Sequence, residues 1–359
     1  MSGGITITHD LIQALDAGGM GTAIAGMGEH FMDAAVRTAA ALASAKLPEK
    51  ANIRCIVLAG LGGSAIGGDL VRSYLLGSLP VPFVVNRTYR LPEFVGPNTL
   101  VIVSSYSGTT EETLAMYEAA KARGAMIVCL STGGTVKEWA ARDGNTFIPL
   151  PTGFQPRAAL AHSFVPVLML LEHIGLCAPQ AGHIKETSDL LTSLAASYGT
   201  ANLTDTNAAL TLGRLLAPKI PVVYSDSELI DTVNLRWRGQ IQENAKHVAF
   251  GNILPEMNHN EINGWAHPVG RQDEFVAIFL RSPQDEHERV AKRFEILHQV
   301  LVGKGVHVEH INASGSSSLA RMFSLISLGD WVSYYIALLL GEDPSPVPVI
   351  QLLKAKLAS

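Results

Sequence analysis

Charge is scarce in this chain. Asp, Glu, Lys and Arg make up 16 % of its 359 residues, and the formal balance is −5. There is no basic excess, which argues against a nucleic-acid partner yet leaves room for a local basic pocket. Cysteine is nearly absent. Cys55, Cys129 and Cys177 are far apart in apolar surroundings, so they read as buried structural thiols rather than disulfides or metal ligands. No His or Cys spacing suggests zinc: His259 and His267 are eight residues apart and no motif links them. The first sixteen residues lack a basic stretch followed by an apolar core, so they do not read as a secretory signal. The apolar runs at Phe164–Leu171 and Tyr334–Leu340 are too short to cross a bilayer. A soluble, cytoplasmic protein with no membrane association is expected.

Apolar residues are plentiful at 47 %, and the length suggests two domains. The most informative stretch is Leu100–Leu114, LVIVSSYSGTTEETL. Leu100–Val103 reads as a short buried strand, central in a parallel sheet. Ser104–Thr110 packs five small hydroxyl side chains and one Tyr into seven residues. Glu111 and Glu112 then open a helix running to about Arg123, acids in the first turn after a hydroxyl being an N-terminal signal. Strand, hydroxyl loop and helix N-terminus meet there. Backbone N–H groups, the helix dipole and O–H donors make an anion site of a size that suits a phosphate monoester.

The same alternation runs along the chain. Residues 5–47 are Ala-rich and helical. Strands are expected at Cys55–Ala59, Val81–Asn86, Ala125–Ser131 and Phe147–Leu150, and helices around 69–76, 158–176 and 183–198. The second half repeats the pattern, with strands at Ile220–Ser225, Phe275–Leu280 and Val306–Ile311. Its expected helices are Ser227–Val248, Asp285–Lys304, Leu319–Leu340 and a last one after Pro346. This is an α/β chain of two three-layer α/β/α domains, each with a mainly parallel sheet. The boundary is expected near 178–183, giving domains 1–180 and 181–359.

Gly60-Leu61-Gly62-Gly63-Ser64-Ala65 fits the pattern G-x-G-x-x-A after a strand. The next strand ends at Asn86-Arg87 with no acid for a ribose, and no Lys follows the glycines. No nicotinamide or other cofactor is expected. Gly62 and Gly63 instead let backbone approach a sugar, and Ser64 donates to its phosphate. Glu243, in Gln242-Glu243-Asn244-Ala245-Lys246, could be a solvated helix residue or a base. His259, in the Asn-rich segment before Trp265, could be a surface histidine or part of a structured loop at a site. Lys354 alone reads as a surface lysine.

Taken together, GLGGSAIGGD at 60–69, SSYSGTTEET at 104–113, QENAK at 242–246, PEMNHNEINGW at 255–265 and DPSPVPVIQLLKAKL at 343–357 resemble the bifunctional phosphoglucose/phosphomannose isomerases of the SIS (sugar isomerase) superfamily. The resemblance implies two SIS domains and a homodimer with active sites at the subunit interface. It implies interconversion of glucose 6-phosphate or mannose 6-phosphate with fructose 6-phosphate, with no metal or cofactor. Ser64, Ser105, Ser107 and Thr110 would hold the phosphate. Glu243 would be the base, His259 would come from the neighbouring subunit, Lys354 would sit near the sugar ring, and Arg157 would face the enediolate. Ser345 stands where relatives often carry Thr, and keeps the hydroxyl. The competing class is a non-catalytic SIS-type sensor of phosphosugars, which would have no use for Glu243, His259 and Lys354 together.

Overall fold

The computed structural model describes residues 5–357, in two compact units. One spans residues 27–189. The other joins the described residues up to Gly26 to the chain from Leu190 onward. Sequence alone divided the chain near 180 and assigned the first helices to the N-terminal half. In the structure the two compact units divide at 189/190, and those helices group with the C-terminal unit. Their residues explain why: Tyr334 Oη donates to Asp16 Oδ2 at 3.1 Å, and a Cβ on Gly21 would lie 3.0 Å from the Tyr334 ring.

In chain order the helices of the first segment are α1 (His9–Leu15) and α2 (Met20–Ala25). The unit 27–189 holds α3 (Met27–Leu42), β1 (Cys55–Ala59), α4 (Gly62–Tyr74), β2 (Phe83–Asn86) and β3 (Thr99–Ser104). It continues with α5 (Glu111–Ala122), β4 (Met126–Ser131), α6 (Gly134–Asp143), β5 (Thr146–Pro149) and α7 (Leu160–His173). Helix α8 (Ala181–Tyr198) runs across the division. All strands pair in parallel, in the order β2-β1-β3-β4-β5. Every residue of β3 is buried, as a strand covered on both faces requires. One face packs Val57, Val101 and Val103 against Met116 and Tyr117 of α5.

Two features depart from expectation here. Helix α6 was not foreseen. The glycine-rich stretch is not a loop leading to a helix at Asp69, because α4 already begins at Gly62. Its glycines serve close packing. A Cβ on Gly67 would lie 2.5 Å from Ser163 Oγ of α7, and one on Gly68 would lie 2.5 Å from a methyl of Leu58.

The second unit holds α9 (Ala208–Leu216), β6 (Ile220–Asp226), α10 (Asp231–Asn244), β7 (Phe250–Leu254), the single turn α11 (Glu261–Gly264) and β8 (Phe275–Arg281). It ends with α12 (Glu288–Gly303), β9 (His307–Asn312), α13 (Ser318–Leu339) and α14 (Pro348–Leu357). Its parallel sheet runs β7-β6-β8-β9, repeating the first four positions of the other sheet. Helix α13 is long and apolar enough for a bilayer by length and composition, but it is the buried central helix of this unit. Helix α10 is fixed on it by the buried Arg236–Asp330 ion pair (2.6 Å) and by Trp237 Nε1 donating to Leu325 O at 2.8 Å. The expected helix 227–248 is shorter than foreseen. It stops at Asn244, Lys246 takes φ +53, and β7 follows as an edge strand that its Gly and Asn had disguised.

Candidate active site

Strands β1 and β3 lie side by side, and from them the chain turns to opposite sides of the sheet. The crevice beyond their C-terminal ends is therefore the topological switch point, where open parallel sheets bind ligands. Two helix N-termini open into it, α4 after β1 and α5 after β3. Each leaves first-turn N–H groups without intrahelical partners at the positive end of its dipole.

The hydroxyls are arranged around that crevice. Ser64 is buried in the first turn of α4, and its Oγ accepts the Tyr106 N–H at 3.0 Å, tying the two loops together. Ser105 is buried, lies 2.9 Å from Thr110 Oγ1 through its Oγ, and accepts the Gly108 N–H at 3.1 Å. Ser107 is exposed, and its Oγ accepts from the N–H and the hydroxyl of Thr109. Thr110 is the N-cap of α5 yet makes no side-chain cap bond. Gly108 has φ +71, and a Cβ there would sit 1.9 Å from Gly133 O, so only glycine allows the loop to close on the turn after β4.

The turn that carries Arg157 packs against this cradle. Arg157 is 5 % exposed, in the short helical turn Pro156–Ala158. A Cβ on Gly63 would lie 2.5 Å from Pro156 O and 3.3 Å from Arg157 N, so the turn rests on the start of α4. Tyr106 Oη accepts the Phe154 N–H at 3.0 Å, docking the same segment on the hydroxyl loop. Thus Gly62, Gly63, Ser64, Ser105, Ser107, Thr110 and Arg157 meet within one unit.

Glu243, His259 and Lys354 belong to the other unit. Glu243 is half-buried in the last turn of α10 and lines a pocket of about 480 Å³ with Lys246, Pro348 and Ile350. Lys246 Nζ donates to Asn244 O at 3.0 Å and to Asp343 O, holding the start of the C-terminal segment there. Lys354 is exposed on α14, and no residue of that helix is buried. His259 is exposed at the end of the turn Glu256–His259 and does not line the Glu243 pocket.

Sequence reasoning passed over the network that holds the His259 segment. The Tyr224 hydroxyl donates to Glu261, Asn252 Nδ2 donates to the other oxygen of Glu261 at 2.8 Å, and Trp265 Nε1 donates to Tyr224 Oη at 3.0 Å. Burial, with the Glu261 carboxylate beside it, pushes the Tyr224 phenol well above its usual range, so it stays a donor. The signal available was the density of Asn, Glu and Trp between 258 and 265.

Among the described residues the second sheet builds no equivalent cradle. After β8 and β9, Asp285 accepts from the hydroxyls of Ser282 and Ser318 and from Arg321, which it meets at 2.6 Å. Its own carboxylate thus takes the donors that an external anion would need. The thiols are free, and of the three only Cys129 is buried, Cys55 and Cys177 being partly exposed; desolvation pushes Cys129 up to about 12 and Cys177 to about 11. Among the described residues no three His, Cys, Asp or Glu are grouped closely enough to hold a metal.

Residues 205–357 match the family described as the bacterial phospho-glucose isomerase C-terminal SIS domain. The chain is 46 % identical over 303 residues to a bifunctional phosphoglucose/phosphomannose isomerase of Caldicellulosiruptor bescii, covering 84 % of this chain and 89 % of that one. It is 38 % identical to the protein of the same name from Aquifex aeolicus, covering 84 % and 90 %. A hypothetical protein of Thermus thermophilus shares the fold, with a TM-score of 0.71 at 16 % identity over 97 % of this chain and 92 % of that one. With the hydroxyl cradle, the QENAK helix end and the HNEINGW segment in place, the chain belongs to the bifunctional phosphoglucose/phosphomannose isomerase family.

Proposed function

We propose that this chain is an aldose–ketose isomerase that interconverts glucose 6-phosphate or mannose 6-phosphate with fructose 6-phosphate through a cis-enediolate, without a metal. The observation that carries this reading is the meeting of two helix N-termini, the hydroxyls of Ser64, Ser105, Ser107 and Thr110, and the buried Arg157 at one switch point. The cradle holds the phosphate, a remote group whose binding lowers the entropy cost at the reacting carbons. Arg157 supplies fixed positive charge where negative charge develops on the enediolate oxygens. Glu243 takes the proton from C2 and returns it at C1, and His259 and Lys354 exchange protons with the ring oxygen and O1 during ring opening. Rotation about C2–C3 of the enediolate lets one base serve both epimers. No electrons leave the substrate, so a nicotinamide has no task here.

The working form in this reading is a homodimer. Helix α14 supports it: Val349, Leu352, Leu353 and Leu357 are exposed at 77, 56, 57 and 71 %, although the helix carries Lys354. A partner subunit would cover that apolar face and bring its own His259 to Glu243. Glu243→Gln keeps shape and should cost about 10²–10⁴ in kcat, the worth of a positioned base. His259→Ala should be poorly active by itself. Mixed under subunit exchange, the two variants form heterodimers with one intact and one doubly defective site. About a quarter of wild-type activity should return, by the logic of a two-fold interface. No recovery despite proven exchange would show that the two residues act within one chain.

A further inference from the structure

A cluster of rings outside the cradle bears on it. His30 of α3, Phe154 of the segment leading to Arg157, and His162 of α7 touch one another. Their ring centroids are 4.8 Å (His30–Phe154), 5.4 Å (Phe154–His162) and 5.5 Å (His30–His162) apart. His162 is 2 % exposed, and the Nδ1 atoms of both histidines are buried without a hydrogen-bond partner. With those polar atoms unpartnered, ring packing rather than hydrogen bonding holds the two histidines against Phe154. Asp33 Oδ2 lies 3.9 Å from His162 Nδ1, beyond hydrogen-bond reach, and is bonded to Arg37 at 2.6 Å. Burial and the neighbouring His30 push His162 down to about 4, and burial lowers His30 too, so both rings are neutral near pH 7.

Phe154 ties this cluster to the site. Its backbone N–H is held by Tyr106 of the hydroxyl loop, its ring by the two histidines, and Arg157 follows three residues later in the turn that rests on Gly63. We propose that His162, with His30, is a positioning residue for the isomerisation: the two rings clamp Phe154 and thereby set where the Arg157 guanidinium sits over the reacting carbons. This rests on the role given to Arg157 above. Lost clamping should misplace a fixed charge and leave the phosphate cradle intact, so kcat should fall while KM holds.

The test is a double-mutant cycle on the full-length protein with fructose 6-phosphate. His162→Ala should lower kcat by about 10–100-fold, the cost of a misplacement near 1 Å, with KM changed less than threefold. His162→Phe, which restores a flat ring, should recover kcat to within about fivefold of wild type, and covers the case in which the alanine variant folds poorly. Arg157→Ala should cost about 10²–10³ in kcat, the usual loss of one oxyanion donor. The double variant His162→Ala/Arg157→Ala should be no slower than Arg157→Ala alone, because the histidine acts through the arginine. Additive losses, or a wild-type kcat in a folded His162→Ala, would overturn the clamp while leaving Arg157 in place. A wild-type kcat in Arg157→Ala would overturn the reading of the site itself, and the clamp with it.

Discussion

Adding one methyl group at Gly63 should uncouple activity from stability. The built Cβ meets the Pro156 carbonyl, its oxygen at 2.5 Å and its carbon at 2.8 Å, with Arg157 N at 3.3 Å. Carbon–oxygen contacts settle at about 3.3 Å or more, so α4 and the Arg157 turn must part by about 0.8 Å. Both contact partners are backbone, and no flexible side chain can swing aside. The parting moves Ser64 relative to Arg157, which the reaction needs at a fixed separation. A shift near 1 Å costs on the order of 10²-fold in rate. Overpacking costs about 1–3 kcal/mol, and alanine returns about 1 kcal/mol of helix propensity. Gly63→Ala should therefore lose on the order of 30–100-fold in kcat/KM. Its Tm should fall by only a few degrees, at about 2–4 °C per kcal/mol. Gly303→Ala, where no atom lies within 4 Å of the new methyl, is the control and should keep both. The assay is conversion of glucose 6-phosphate to fructose 6-phosphate, with melting followed by circular dichroism. A folded Gly63→Ala protein within threefold of wild-type kcat/KM would refute the close approach.

Three further outcomes are expected. Ser107→Ala combined with Thr110→Ala should raise KM for fructose 6-phosphate at least tenfold while lowering stability by about 1–2 kcal/mol, from the lost hydrogen bonds to Ser105 and Thr109; an unchanged KM would remove the phosphate from this loop. EDTA should leave both isomerase activities intact, and a loss restored by zinc would point to another chemistry. Asp226 is pushed up to about 6 by burial, above the 3.8 of a free carboxyl, although it accepts the N–H groups of Glu228 and Ile230. The folded state thus holds this proton more tightly than the unfolded chain, and stability falls as pH rises from about 4 through about 6. Asp226→Asn should lack that loss and gain up to about 3 kcal/mol over wild type above pH 6, from the shift at 1.36 kcal/mol per unit; equal pH dependence in the two proteins would contradict it.

The composition and the period of apolar residues determined the α/β class and most strands, because a strand buried on both faces has to be a short apolar run wherever it lies. They also located the hydroxyl loop, since five small hydroxyls between such a strand and an acidic helix start have few other uses. Helix α6 and strand β7 escaped, as their residues are mixed in polarity and only neighbouring elements decide their state. The glycines of 60–68 were read as room for a sugar and not as helix, because glycine signals the lack of a side chain and not what occupies the space, which in the structure is Pro156, Ser163 and Leu58. The motifs of Glu243, His259 and Lys354 were recognisable as strings of residues. Their surroundings were not, since half-burial against α14 or a turn held by Tyr224 and Glu261 depends on residues far away in the chain. What tertiary structure alone decided is which distant groups become neighbours: Gly63 beneath Pro156, Phe154 between two histidines, Asp285 in the donors of the second sheet. Each depends on how elements pack, and packing is set by the shape and volume of whole faces, which no local stretch of sequence contains.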